Sequence, residues 1–190
     1  MCVKSDVVKS YLGLDIDKPM LERTADQFQT VMKAMKARLV PVDLTIEPKL
    51  KLKDNSVDLI FCFEMIEHIK PEFVTPILEE AHRVLSEKGV MLLSTPNSNG
   101  SNKNLPKDHV YEWSYEELNE AVENVGFEVQ SATGTCINPS KIPAKIWDRV
   151  DVDSVYNTFG RRTAMSCVAL GPMFPVKYSK NMLFILKKGE

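Results

Sequence analysis

Two glutamates and a histidine crowd one short stretch of this 190-residue chain: Glu64, Glu67 and His68, in the run FEMIEH. On a helical turn the spacing i, i+3, i+4 places all three side chains on one face. His109 follows later in the chain, just after the polar run NSNGSNKNLPKD at 97–108. Two carboxylates and two imidazoles brought to one point at the carboxyl edge of a parallel sheet would form a mixed N/O divalent-metal site. Such a donor set suits Mn²⁺ or another first-row ion better than Mg²⁺, which prefers oxygen and water. A metal-free alternative gives His68 or His109 a proton-accepting role beside a substrate. The structural alternative makes Glu64 and Glu67 first-turn residues at a helix N-terminus, where negative charge is favoured.

The elements that must position these groups follow from the hydrophobic pattern. The residues immediately before Glu64, VDLIFCF at 57–63, are almost continuously apolar, which suits a strand buried on both faces. Upstream, residues 7–16 (VVKSYLGLDI) form a strand that breaks at Asp17-Lys18-Pro19, a helix-start signal. A helix over 19–36 with Met20, Leu21, Phe28, Val31, Met32 and Met35 toward the core is expected, then a strand at 37–42. Downstream, a helix at 71–85 is stopped by Ser86-Glu87-Lys88-Gly89 before a strand at 90–94. The spacing predicts a helix over 114–125 with Ser114 as N-cap and Glu117 completing a capping box. Strands at 127–132, 163–170 and 181–187 close the chain, and residues 134–162 form a cover over the domain. Strand and helix alternate, so the fold class is α/β, a Rossmann-like, mostly parallel sheet with helices on both faces.

Composition narrows the function. Lys plus Arg number 24 against 26 Asp plus Glu, a formal net charge of −2, so the overall field does not draw a polyanion. Nucleic acid would have to bind through a local patch. The four cysteines form no CxxC pair, which fits free thiols in a reducing, cytoplasmic setting. No apolar run approaches the roughly 18 residues of a membrane span. A single domain over 1–190 is the expectation.

Three segments, YLGLDIDKPML at 11–21, SVDLIFCFEMIEHI at 56–69 and HRVLSEKGVMLLSTPN at 82–97, together resemble the class I S-adenosylmethionine-dependent methyltransferases. HVYEWSYEEL at 109–118 and VGFEV at 125–129 sit at the spacing that family uses. The resemblance implies S-adenosylmethionine as cofactor, with Asp15 at the end of its strand accepting hydrogen bonds from both ribose hydroxyls and Asp17 as the alternative for that role. It also implies Asp43 facing the adenine amino group, with Leu44 beside it and Phe63 lining the cofactor. ExxEH with a later histidine further resembles the metal-dependent 2'-O-methyltransferases of small RNAs, which would make Glu64, Glu67, His68 and His109 the ligands.

The family's first strand ends in a glycine-rich turn, because backbone must approach the cofactor closely. Among this chain's eight glycines no two lie closer than Gly126 and Gly134. The expectation is therefore a chain lacking that first strand and helix, with unpaired sheet edges or a partner chain completing the sheet. An O-methyltransferase of a small metabolite or sugar is the leading expectation. RNA 2'-O-methylation and a non-catalytic subunit or fragment are the alternatives.

Overall fold

The computed structural model describes residues 8–98, 102, 105–138, 142–147, 149, 152–160 and 164–189. Contacts divide the chain into two compact units, Met1–Leu50 and Lys51–Glu190.

In the first unit, β1 (Tyr11–Asp15) lies parallel to β2 (Ala37–Pro41), with Asp15 opposite Pro41. The predicted single helix between them is two, α1 (Lys18–Gln27) and α2 (Gln29–Ala34), because Phe28 leaves helical geometry at φ −115°, ψ 26°. None of the described residues of this unit is buried, and Met20, Phe28 and Val31 of the expected inner face are about half exposed. Two five-residue strands and two short helices offer too little surface to enclose a core.

The second unit holds a four-stranded sheet in the order β3-β4-β6-β5, made of β3 (Val57–Phe63), β4 (Leu85–Pro96), β5 (Phe127–Ile137) and β6 (Ser179–Lys188). β3 and β4 are parallel, and β6 runs antiparallel to both β4 and β5. Three strands thus share one direction and one reversed strand sits among them, the mostly parallel, helix-flanked α/β arrangement expected. α3 (Pro71–Val84) and α4 (Tyr115–Asn124) pack Val74, Leu78, Leu118 and Val122 against Leu85, Met91, Leu93, Phe127, Met182, Phe184 and Leu186 of the strands. The Ser114–Glu117 capping box is formed in both directions. Among the described residues no helix is long and apolar enough to cross a membrane.

Four expectations are corrected. β3 is not buried on both faces: Leu59, Phe61 and Phe63 on one face stand about half exposed, and within the strand only Cys62 is buried; among the described residues its one paired neighbour is β4. An apolar run reports burial potential, but the burial itself depends on what neighbours the strand. The helix does end ahead of Ser86–Gly89, at Val84, but those residues do not precede the strand: they lie within β4, accommodated by a register shift between Val57 and Leu59. Gly89 lets Leu85 pack close, since a Cβ there would lie 2.6 Å from Leu85 Cδ1 and push that side chain aside. The expected strand at 163–170 is a helix, α7 (Ala164–Leu170), with Thr163 outside the described residues; a short apolar run does not by itself distinguish the two. Within the expected cover, Gly134–Ile137 extends β5, and the segment beyond carries α5 (Ala144–Trp147) and α6 (Val152–Phe159). There Ile137, Ile142, Leu170 and Phe174 form a second small core, against which Trp147 packs with its ring 5.1 Å from that of Phe174. Arg161-Arg162, a basic pair, lies outside the described residues.

Candidate active site

β3 delivers its terminal residues to the carboxyl end of the sheet, where open α/β folds bind ligands. Glu64, immediately after the strand, has a left-handed backbone, φ 48°, uncommon for a residue with a Cβ. Its amide donates to the Ser94 carbonyl at 2.9 Å. Its carboxylate accepts from Ser94 Oγ at 2.8 Å and from Asn181 Nδ2 at 2.9 Å. Glu64 therefore ties together the ends of β3, β4 and β6. The following turn, Ile66–His68, is a 3₁₀ helix, and Met65 stands outside it at φ −125°. The three residues therefore do not share one α-helical turn: Glu64 precedes the 3₁₀ turn that carries Glu67 and His68, and its charge still acts on the Glu67 carboxyl, raising it.

Glu67 and His68 are joined by His109. One prospective ligand atom from each of Glu67, His68 and His109 lies within 4.8 Å of the others. The imidazoles of His68 and His109 meet edge to face, centroids 5.1 Å apart. Two backbone bonds hold the segments in place: the Glu67 carbonyl accepts from the amides of Val110 at 2.7 Å and Tyr111 at 3.1 Å.

Glu67 is 1% exposed, and its Oε2 accepts from Thr95 Oγ1 at 3.0 Å. Burial, partly offset by hydrogen bonds, pushes its carboxyl above the ordinary range. His68 Nδ1 stands 2.8 Å from the Asp108 carbonyl. A carbonyl only accepts, so Nδ1 carries the proton and the neutral ring keeps its lone pair on Nε2, 3.9 Å from Glu67 Oε1. His109 Nδ1 lies 2.8 Å from Glu112 Oε1. Thr95, Asp108 and Glu112 were not among the residues singled out in the sequence; HVYEW contains Glu112, but its pairing with His109 depends on the shape of the loop.

The proposed cofactor residues of the first unit stand at adjacent strand ends. Asp15 closes β1, where its carbonyl accepts from Val42 N at 2.8 Å and its Oδ1 from Asp17 N at 2.8 Å. Asp17 caps α1, its Oδ1 accepting from Met20 N at 2.9 Å. Asp43 accepts through one oxygen, Oδ1, from both the amide and the hydroxyl of Thr45, at 2.9 and 2.6 Å. Those bonds, the hydroxyl's first, draw its carboxyl below the usual range. Leu44 is half-buried within that turn. In the second unit Phe63, about half exposed, has its ring 5.5 Å from that of Phe61.

In the second unit, a helix-flanked, mostly parallel sheet with a carboxylate–imidazole cluster after β3 defines a ligand-binding fold of the Rossmann-like class. A family model described as a methyltransferase domain, Methyltransf_11, matches residues 2–93. A probable S-adenosylmethionine-dependent methyltransferase of Mycolicibacterium smegmatis is 34% identical over 138 residues, 68% of this chain and 48% of that protein. The chain spans about half the length of the curated relatives it matches. Among solved structures, a SAM-dependent methyltransferase from Archaeoglobus fulgidus superposes with a TM-score of 0.59 at 16% identity, covering 93% of this chain and 75% of that one. The [4+2]-cyclase SpnF superposes with a TM-score of 0.62 at 15% identity, covering 97% of this chain and 67% of its own. These two likenesses show the shared fold, which hosts more than one chemistry. The methyltransferase-domain match, the relative and the shared fold together support a class I S-adenosylmethionine-dependent methyltransferase.

Proposed function

We propose that the protein transfers the methyl group of S-adenosylmethionine to a hydroxyl oxygen of a small metabolite or sugar, with Glu67, His68 and His109 receiving the acceptor. The observation carrying this reading is the fixed tautomer of His68, whose Nε2 lone pair stands beside a buried carboxylate. S-adenosylmethionine supplies an electrophilic sulfonium methyl. His68 Nε2 would take the acceptor's hydroxyl proton, freeing the oxygen to receive the methyl group, while the sulfur of the bound cofactor would keep the electron pair of the bond it gives up. Glu67 then faces an imidazolium and stabilises it, an effect strengthened by its low exposure. Asp15 is the proposed holder of the ribose, with Asp17 as the alternative for that role, and Asp43 of the adenine, with Leu44 beside it; Phe63, in the second unit, is a further proposed cofactor-lining residue. The net charge of −2 favours a small acceptor over RNA.

A divalent metal is the second reading, favoured by the donor set. One carboxylate and two imidazoles are a common set for first-row ions, and both imidazoles have Nδ1 engaged by an outer oxygen, as ligating histidines usually do. Adjacent ligands on a tetrahedral ion with bonds of about 2.1 Å lie about 3.4 Å apart, so the three groups need only modest side-chain rotation to close. A bound ion would lower the pKa of the acceptor hydroxyl. Glu67, His68 and His109 would hold it, with Glu64 outside the group.

Calorimetric titration with S-adenosylmethionine, followed by methyl-transfer assays on a panel of small hydroxyl compounds, tests the proposal. Micromolar cofactor binding is expected, with His68→Ala slowing transfer by about 10²-fold or more. Absence of cofactor binding, or full activity in His68→Ala, would overturn it.

A further inference from the structure

His68 and His109 both use Nδ1 in a hydrogen bond, and one short loop supplies both acceptors: the backbone carbonyl of Asp108 for His68 and the carboxylate of Glu112 for His109. Only the second partner is a side chain. The His109 and Glu112 side chains are 15% and 20% exposed, which sets the pair apart from an ordinary solvated ion pair. The loop is pinned around them. The Val110 and Tyr111 amides bond to Glu67, the Glu112 amide donates to Asn102 Oδ1 at 2.7 Å, and the Trp113 carbonyl accepts from Ser98 N at 2.8 Å.

We propose that Glu112 is the positioning residue of this cluster, holding His109 as its Nδ1–H tautomer so that Nε2 is left as the lone-pair nitrogen. An ionised carboxylate accepts and does not donate, so the nitrogen it touches must carry hydrogen. A neutral imidazole has one N–H, which leaves the other nitrogen free to bind a proton or a cation. A histidine free in water favours the opposite tautomer, with the proton on Nε2; without Glu112 the lone pair of His109 would move to the outer side of the ring. The pairing also fixes ring orientation, which a bound substrate or ion would otherwise have to impose at an entropic cost. The inference rests on the reading of Glu67, His68 and His109 as the acceptor-side cluster, but Glu112's hold on His109 is measurable by itself.

The test uses the full chain labelled with ¹⁵N, in which long-range ¹H–¹⁵N correlation spectra report which ring nitrogen of His109 is protonated. Spectra are taken at pH about 9, above the ordinary histidine range. In the wild type Nδ1 is expected to show the protonated shift and Nε2 the unprotonated one. In Glu112→Ala the pattern should invert, whereas Glu112→Gln, whose amide oxygen still accepts, should keep it. Titration with Co²⁺ alone, followed by its visible absorption, gives a second reading: Glu112→Ala should weaken binding about 10- to 100-fold, with His109→Ala setting the lower limit. An unchanged tautomer in Glu112→Ala overturns the proposal, whatever happens to Co²⁺. A tautomer that inverts in a protein with no Co²⁺ affinity supports the positioning role and removes the metal reading. Folding of the variants is checked by comparison with Glu112→Gln, which preserves the loop's hydrogen bond.

Discussion

Thr95, next to the last residue of β4, donates its hydroxyl to the buried carboxylate of Glu67 at 3.0 Å, linking the sheet directly to the candidate site. Thr95 is itself fully buried, so neither group has water as an alternative partner. Replacing Thr95 by Val keeps the shape and removes the donor. The expected loss of stability is about 1 to 3 kcal/mol, with Thr95→Ser nearer the wild type. Urea denaturation followed by far-UV circular dichroism measures this, and equal midpoints for wild type and Thr95→Val would contradict the bond's role.

Glu64 makes a contrasting prediction. Because its oxygens are engaged by Ser94 and Asn181, Glu64→Ala should destabilise the unit by about 1 kcal/mol. Its Mn²⁺ affinity should stay within about threefold of wild type, whereas His68→Ala and Glu67→Ala should reduce affinity by about tenfold or more if the metal reading holds. Calorimetry on the three variants distinguishes Glu64 as a strand tie from Glu64 as a ligand.

The capping box of α4 gives a pH dependence with a definite sign. Hydrogen bonds from Ser114, the backbone amide first, hold the Glu117 carboxyl below its ordinary value of 4.5. A depressed folded pKa means the unfolded chain binds the proton first, so the contribution is present above pH 4.5 and is lost as pH falls through the lower folded value. Wild type should therefore exceed Glu117→Ala in thermal midpoint near neutrality, and the gap should narrow below pH 4.5. Ser114→Ala should cost about 1 kcal/mol. A gap that widened in acid would reverse the sign and refute the assignment.

Phe61 lies about half exposed, next to Phe63, on a strand that among the described residues is paired along one edge. Such an edge is a template for association with another chain. Phe61→Lys should lower concentration-dependent light scattering without a large change in stability. Scattering that is equal in wild type and variant would show that this edge does not drive association.

At Gly126 the backbone is left-handed, φ 102°, and a Cβ would stand 3.2 Å from His82 Nε2. Gly126→Ala should therefore cost about 1 to 2 kcal/mol, through strain at the end of α4 and displacement of the His82 ring from Phe127. A thermal melt matching wild type would show that the helix end tolerates the side chain.

The sequence by itself determined what local rules control. The Ser114–Glu117 box marks α4, the apolar run 57–63 marks β3, and the family motifs mark the class of enzyme, because each signal is complete within about a dozen residues. Tertiary structure decided the rest. Whether β3 was buried depended on which strands and helices lay beside it, and the periodicity of VDLIFCF carries no information about neighbours. Glu64 precedes the 3₁₀ turn that carries Glu67, His68 and the fully buried Ile66, a local backbone form that the i, i+3, i+4 spacing does not specify. The meeting of His68 with His109, and the bond from His109 to Glu112, required the loop after β4 to fold back on the Glu67 carbonyl. Those contacts join distant parts of the chain through backbone hydrogen bonds, which residue types at a given spacing do not encode.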